Sequence, residues 1–320
     1  MPRFKDFHPD GVIPATLLAF NEDFSIDEPS TRRHVRHVAE VNGIRAITVN
    51  GHASEVHACS REDQQQVLDL ALSEIGDDLP VITGIWADGS HEAAQIAKWA
   101  EASGASALLV FPPQPIMMMQ GQMKPEMALT HFKTIADSTS LPLIAFQYPN
   151  DFAYRMETLV QLIEQVPSLA AIKDWNTGQI HERHVRELQD QQRRFTVLTT
   201  NSAWLMSSLT MGANGLLSGS GSVIADLQVA LFNAIKAGDL LRAQEINDRI
   251  YPTAKCFYAP PATDMHNRMK EALVMLGRIP KSIVRPPLVK LSNIELKMVR
   301  DAIDAAGLTH EGAAMLEDAA

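Results

Sequence analysis

Short, predominantly apolar runs recur eight times along the first three quarters of the chain, each followed by a longer stretch with helical periodicity. The runs cover 12–20, 44–49, 80–85, 105–111, 141–148, 169–175, 195–200 and 215–218. Strands that are apolar along most of their length, without alternating at every second position, are buried on both faces, as in a parallel sheet covered by helices. Eight strand–helix units is the number that closes a barrel. The expected fold is therefore α/β, a (β/α)8 TIM barrel over 1–238 followed by a C-terminal helical extension over 239–320.

The intervening stretches carry helix punctuation. SREDQQQVLDLALSEI (60–75) is amphipathic, and SHEAAQIAKWAEASG (90–104) opens on Ser90 as an N-cap candidate and closes on Gly104, the usual polarity of such signals. Beyond 238 only helical patterns remain, at 240–257, 262–279 and 293–308, and the prolines of 280–292 prevent the last two from joining. An open doubly wound sheet is the competing architecture. Its nucleotide fingerprint is missing, since Gly219-Ser220-Gly221 has no third glycine at the required spacing.

A hydrophobic share of 46% with 21% charged residues suits a protein with a sizeable core. The net charge of -10 lacks the basic footprint of a nucleic-acid binder. Only Cys59 and Cys256 are present, outside any CxxC array, so neither a disulfide framework nor a structural metal site is indicated. No apolar stretch approaches the ~18 residues of a membrane span, and the opening MPRFKDFHPDG lacks a signal-peptide core. A cytoplasmic protein working on small molecules is the expectation.

In a barrel of this kind the active site forms at the C-terminal ends of the strands. Two residues there stand out, Tyr148 at the end of the fifth run and Lys173 near the end of the sixth. Neighbouring strands lie about 5 Å apart, which lets a phenol and an amine converge on one small substrate. An amine desolvated among apolar side chains loses its charge more easily and becomes a nucleophile toward a ketone, with the phenol moving protons. The bland alternative has Lys173 cap the sheet and pair with Asp174 or another carboxylate. Position alone leaves the two readings balanced.

A resemblance tips the balance. GVIPATLLAFNEDFSID at the start, NGHASE after the second run, PVITGIWADGSHEAAQIAKWAEASGASALLVFPP, the tyrosine of FQYP, the lysine of AIKDW and GANGLLSGSGSV together resemble the dihydrodipicolinate synthase and N-acetylneuraminate lyase family, the pyruvate-type class I aldolases. The resemblance runs from Gly11 to Leu308. It implies a Schiff base on Lys173, proton relay by Tyr148, no cofactor or metal, and a homotetramer. It also implies that Gly51, His52, Ala53 and Ser54 cradle the carboxylate of pyruvate or a related 2-keto acid, with Glu55 bracing the loop. Leu217, Ser218 and Thr200 complete the expected substrate-binding set, and Ser220 and Ser222 are expected beside them at the pocket's polar end.

Departures from the family pattern are specific. His52 and Ala53 stand where the family has two hydroxyl residues, so His52 or Ser54 must replace the threonine that links to the tyrosine. Pro113 and Gln114 replace a tyrosine pair, and Ala153 stands where the synthases keep an arginine for a second carboxylate; Arg155 is out of register. With Trp86 and Met117-Met118-Met119 near the mouth, these changes suit a bulky or aromatic aldehyde partner better than a charged one, with simple packing of the methionines as the alternative.

Other polar candidates have ordinary explanations. His52 and His57 lack a third ligand for a metal-dependent aldolase, and 181–184 reads HERH, which is not HExxH. His34 and His37 are expected on the outer face of their helix, and Asp88 is expected to brace a loop. The expected function is a Schiff-base lyase that makes or cleaves a carbon–carbon bond between a 2-keto acid and an aldehyde. A dehydratase or hydratase using the same imine, and a non-catalytic keto-acid binder, are the alternatives.

Overall fold

The computed structural model describes residues 3–114, 122–152 and 154–313. Eight parallel strands form its centre: β1 (Gly11–Pro14), β2 (Ile47–Val49), β3 (Val81–Ile85), β4 (Ala107–Val110), β5 (Leu143–Gln147), β6 (Leu169–Asp174), β7 (Thr196–Thr199) and β8 (Gly215–Ser218). Their order is β1-β8-β7-β6-β5-β4-β3-β2, and parallel bridges from Val12 to Ile44 and from Ala15 to Thr48 bring the two ends together. The eight-stranded TIM barrel expected from the apolar rhythm is the observed fold. Every strand residue is buried, which is why the sequence lacks two-residue alternation.

The strands are shorter than the apolar runs. β1 stops at Pro14 although its run continues to Phe20, because beyond Thr16, whose N still donates to Thr48 O, the backbone leaves the ladder: Leu17 N donates to Ser222 Oγ and Ala19 N to Thr31 Oγ1. Gly84 in β3 sits so close to β2 that a Cβ there would lie 1.9 Å from Asn50 O, so only glycine fits.

The barrel helices are α1 (Glu28–Ala39), α2 (Arg61–Ile75), α3 (Ser90–Ser103), α4 (Pro125–Ala136), α5 (Met156–Gln165), α6 (Gly178–Arg183), α7 (Leu205–Thr210) and α8 (Gly221–Lys236); after them come α9 (Leu240–Phe257), α10 (Met265–Met275) and α11 (Asn293–Ala306). Ser60 caps α2 in a reciprocal capping box with Asp63. Ser90 does not cap α3. Gly89 occupies the cap and Ser90 Oγ bonds His131 Nδ1 at 2.9 Å instead, a tertiary partner winning over the local one. Gly104 ends α3 at φ 114° as expected.

His34 corrects a second expectation. It lies at 2% exposure, on the core side of α1, with Nε2 2.6 Å from Ser222 Oγ. The outer-face placement overlooked that a histidine can bury when a hydroxyl from another element meets its ring. Ser222 thereby serves the junction of α1, α8 and the loop after β1, not the pocket.

Candidate active site

Strand alternation sends Lys173 and Asp174 to opposite faces of β6. Lys173 faces into the barrel at 3% exposure, its Nζ 4.4 Å from the centroid of Phe146 on the neighbouring strand. It forms no ion pair among the described residues. Desolvation alone lowers its pKa to about 7, so a large share of the amine is uncharged near neutrality.

Asp174, the partner offered by the bland reading, points outward and is taken. Its Oδ2 lies 2.8 Å from His181 Nδ1 and 2.7 Å from His184 Nδ1, and its Oδ1 accepts from Asn176 N and Nδ2. Burial pushes this carboxyl up, but the two imidazoles more than offset it and hold it well below the usual range. Asn176 in turn donates to Tyr148 O and accepts from Asn150 N, fixing the turn after β5. The HERH segment thus braces β6 from behind.

A second buried lysine supplies the contrast. Lys270, on α10, is ion-paired to Glu55 with both side chains at or below 1% exposure, and donates to Ile283 O at 2.7 Å. Glu55 also accepts from Arg285 N at 3.1 Å. These contacts hold Glu55 at φ 54°, a left-handed conformation that a non-glycine residue keeps only when its surroundings enforce it. Glu55 therefore braces the loop after β2, as the sequence suggested, while Lys270 is spent as a counter-ion.

The cavity next to Lys173 has about 370 Å³ including its open mouth, and is walled by Ala15, His52, Ala53, Phe146, Lys173, Trp175, Thr200, Gly219, Tyr258 and Met265. His52 is central to it. Its Nε2 stands 2.5 Å from Tyr148 Oη, and its ring meets Phe111, Trp86 and Phe146 edge-on with centroids 4.9, 5.5 and 5.6 Å away. Burial first, then the nearby Lys173, His266 and His57, holds its pKa well below the ordinary value. His52 is thus neutral, one nitrogen bonded to the phenol. Its carbonyl accepts from His266 Nε2 at 2.5 Å, which anchors the loop to α10.

Tyr148 stacks on Phe146 with centroids 4.5 Å apart and lies behind His52, so the phenol connects to the cavity through the imidazole. Burial raises its pKa, and the Gln114 side chain bonds the same group in opposition. Of the remaining expected residues, Ala53 and Thr200 wall the cavity. Ser54 Oγ is turned away to Thr16 O at 2.8 Å. Gly51, Leu217 and Ser218 are buried and absent from the cavity wall, and the hydroxyls of Ser218, Ser220 and Ser202 lie 2.8 to 3.0 Å from one another. His57 pairs with His266, ring centroids 5.4 Å apart. Met117, Met118, Met119 and Ala153 lie outside the described residues. Arg155 is exposed and donates to Gln122.

Sequence reasoning missed Lys270, His266 and Tyr258, all from the helical extension. A lysine amid the apolar positions of 262–279 was the one available signal.

A readily neutralised lysine at the strand ends of a TIM barrel, without an ion pair among the described residues and beside a bonded imidazole and phenol, is the arrangement a lysine Schiff-base lyase of the class I aldolase kind requires. The chain belongs to the dihydrodipicolinate synthetase family, whose model matches residues 8–306. It is 27% identical over 303 residues to the 4-hydroxy-tetrahydrodipicolinate synthase of Bartonella bacilliformis, covering 94% of this chain and 99% of that one. It is 26% identical over 310 residues to the enzyme of the same name from Methanopyrus kandleri, with 96% and 99% covered. The crystal structure of dihydrodipicolinate synthase from Thermotoga maritima shares the fold at a TM-score of 0.83 and 22% identity, over 94% of this chain and 99% of that one.

Proposed function

We propose that the protein acts on pyruvate or a closely related 2-keto acid, joining it to or releasing it from an aldehyde through an imine on Lys173. The observation that carries this reading is the difference between the two buried lysines: Lys270 has its carboxylate and Lys173, among the described residues, has none. The neutral amine adds to the keto carbon. Proton transfers expel the carbonyl oxygen as water and leave an iminium. Loss of a proton from the adjacent carbon gives an enamine, whose carbon bonds the aldehyde carbon while the aldehyde oxygen takes up a proton; water then releases the product and restores the amine.

His52 is the group that exchanges these protons with the substrate, backed by Tyr148. Its place on the cavity wall and its short bond to the phenol support this role, and the threonine expected in the family has no counterpart on this loop. Aromatic rings from Trp86, Phe111, Phe146 and Trp175 surround the site, and among the described residues Lys173 is the one lysine or arginine in its wall. The aldehyde partner is accordingly uncharged and bulky or aromatic. Among the described residues no helix is long and apolar enough to cross a membrane; the compartment proposed with this reading is the cytoplasm. The same reading has the protein assemble as a homotetramer, which would cover exposed apolar side chains such as Leu241, Val289 and Ile294.

The test is exchange of the pyruvate methyl protons in deuterated water, followed by NMR, which needs no aldehyde. The wild type exchanges them and Lys173→Arg does not. A panel of aliphatic, sugar-derived and aromatic aldehydes then identifies the partner. Equal exchange by the Lys173→Arg variant rejects the reading.

A further inference from the structure

The loop after β2 has no hydroxyl left for an anion. Ser54 Oγ is committed to Thr16 O, Ala53 offers a methyl, and the His52 ring is bonded to Tyr148. The amides of Ser54 and Val56 are spent on Gly51 O, and that of Glu55 on His52 O. The amides of His52 and Ala53, the two loop residues on the cavity wall, have no acceptor among the described residues and are left for a carboxylate. Two neutral donors are a thin cradle for a charged group.

A third donor comes from outside the barrel. Tyr258, at the end of α9, enters the wall of the same cavity. Gly219 lies between it and the loop: a Cβ built there would stand 3.3 Å from Ala53 Cβ and 3.6 Å from Tyr258 Oη. The bare glycine thus leaves the loop and the phenol facing one another across a gap that a side chain would fill.

The hydrogen bonds behind Tyr258 set its direction. Gln228 Nε2 donates to Ser220 Oγ at 3.0 Å, Ser220 and Ser202 are 2.9 Å apart, and Ser202 donates to Tyr258 Oη at 3.2 Å. Since Tyr258 receives a proton bond from the protein, its own O–H is left to donate, and among the described residues it has no acceptor. A buried relay that delivers one donor to a cavity wall is built to meet an acceptor from a ligand.

We propose that Tyr258 binds the carboxylate of the 2-keto acid, together with the amides of His52 and Ala53, and so takes the place of the hydroxyls missing from the loop. This rests on the Schiff-base reading above, and it gives the helical extension a direct part in substrate recognition.

Borohydride labelling of Lys173, measured by mass against ketone concentration, tests it with two ketones: pyruvate and acetone, which lacks the carboxylate. Tyr258→Phe keeps the ring and removes the donor. The half-saturating pyruvate concentration rises about 10- to 100-fold, the usual loss when a hydrogen bond to a charged group is removed. The acetone curve stays where it was. Adding Ala53→Ser to the Tyr258→Phe variant, which returns a hydroxyl to the cradle, recovers part of the pyruvate affinity. An unshifted pyruvate curve, or equal shifts for pyruvate and acetone, overturns the proposal. A wild type that labels with neither ketone rejects the Schiff-base reading itself, and this inference falls with it.

Discussion

His52 Nε2 and Tyr148 Oη, 96 positions apart in sequence, stand 2.5 Å from one another at the edge of the cavity that holds Lys173. Burial works on both partners, lowering the pKa of the imidazole and raising that of the phenol. At neutral pH the pair is a neutral imidazole bonded to a neutral phenol, able to pass one proton without creating a lasting charge in an apolar site.

Replacing His52 with Phe therefore removes the link while keeping an aromatic filler. Exchange of pyruvate methyl protons falls about 100-fold or more, the range for loss of a positioned acid–base group. Tyr148→Phe falls less if the imidazole alone touches substrate. An unchanged exchange rate in His52→Phe assigns the protons to another group.

Lys173 makes the fold less stable. Its folded-state pKa of about 7 lies below that of a free lysine, so the unfolded chain binds the extra proton between pH 7 and about 10.5, and stability rises with pH across that window. Lys173→Met should stabilise the protein at pH 7 by roughly 2–5 kcal/mol, and the gain should shrink toward pH 10. Denaturant unfolding at three pH values checks both sign and window. A destabilised Met variant at pH 7 contradicts the account.

Glu55 and Lys270 are sequestered together, and removing one partner strands the other. Glu55→Ala is expected to cost about 3–5 kcal/mol, as in other buried pairs, and to loosen the loop that carries His52. Thermal unfolding reads the first effect and pyruvate half-saturation the second. A Glu55→Ala protein of native stability removes the bracing argument.

Asp174 sets the acid side. Its carboxyl is held below the range of an unfolded aspartate, so its contribution is present above the unfolded pKa of about 4 and disappears as pH falls through the lower folded value. Asp174→Asn should flatten the loss of stability below pH 4 in acid titrations followed by circular dichroism. An unaltered acid midpoint argues against the two-histidine brace.

The barrel was legible because parallel strands buried on both faces leave predominantly apolar runs, and Lys173 was legible because one of those runs carries a charge. What surrounds Lys173 was less so. Periodicity tells which face of an element is apolar but not which distant element meets it. His34 meets Ser222 across 188 positions, Lys270 meets Glu55 across 215, and Ser202 meets Tyr258 across 56. Each is a polar residue on a helix or loop whose partner is supplied by closure of the barrel or by docking of the extension. The His181 and His184 pair failed as a metal motif by spacing, and only the outward turn of Asp174 gave it a purpose.

The central claim is that one amine in the barrel, and not its buried neighbour, bonds the keto carbon. Borohydride reduction with pyruvate, followed by peptide mapping at several pH values, addresses it directly. The account predicts a reduced pyruvyl adduct on Lys173 alone, forming faster as pH rises through about 7 and levelling above it. An adduct on Lys270 or on surface lysines, or a labelling rate that climbs steadily toward pH 10, contradicts it.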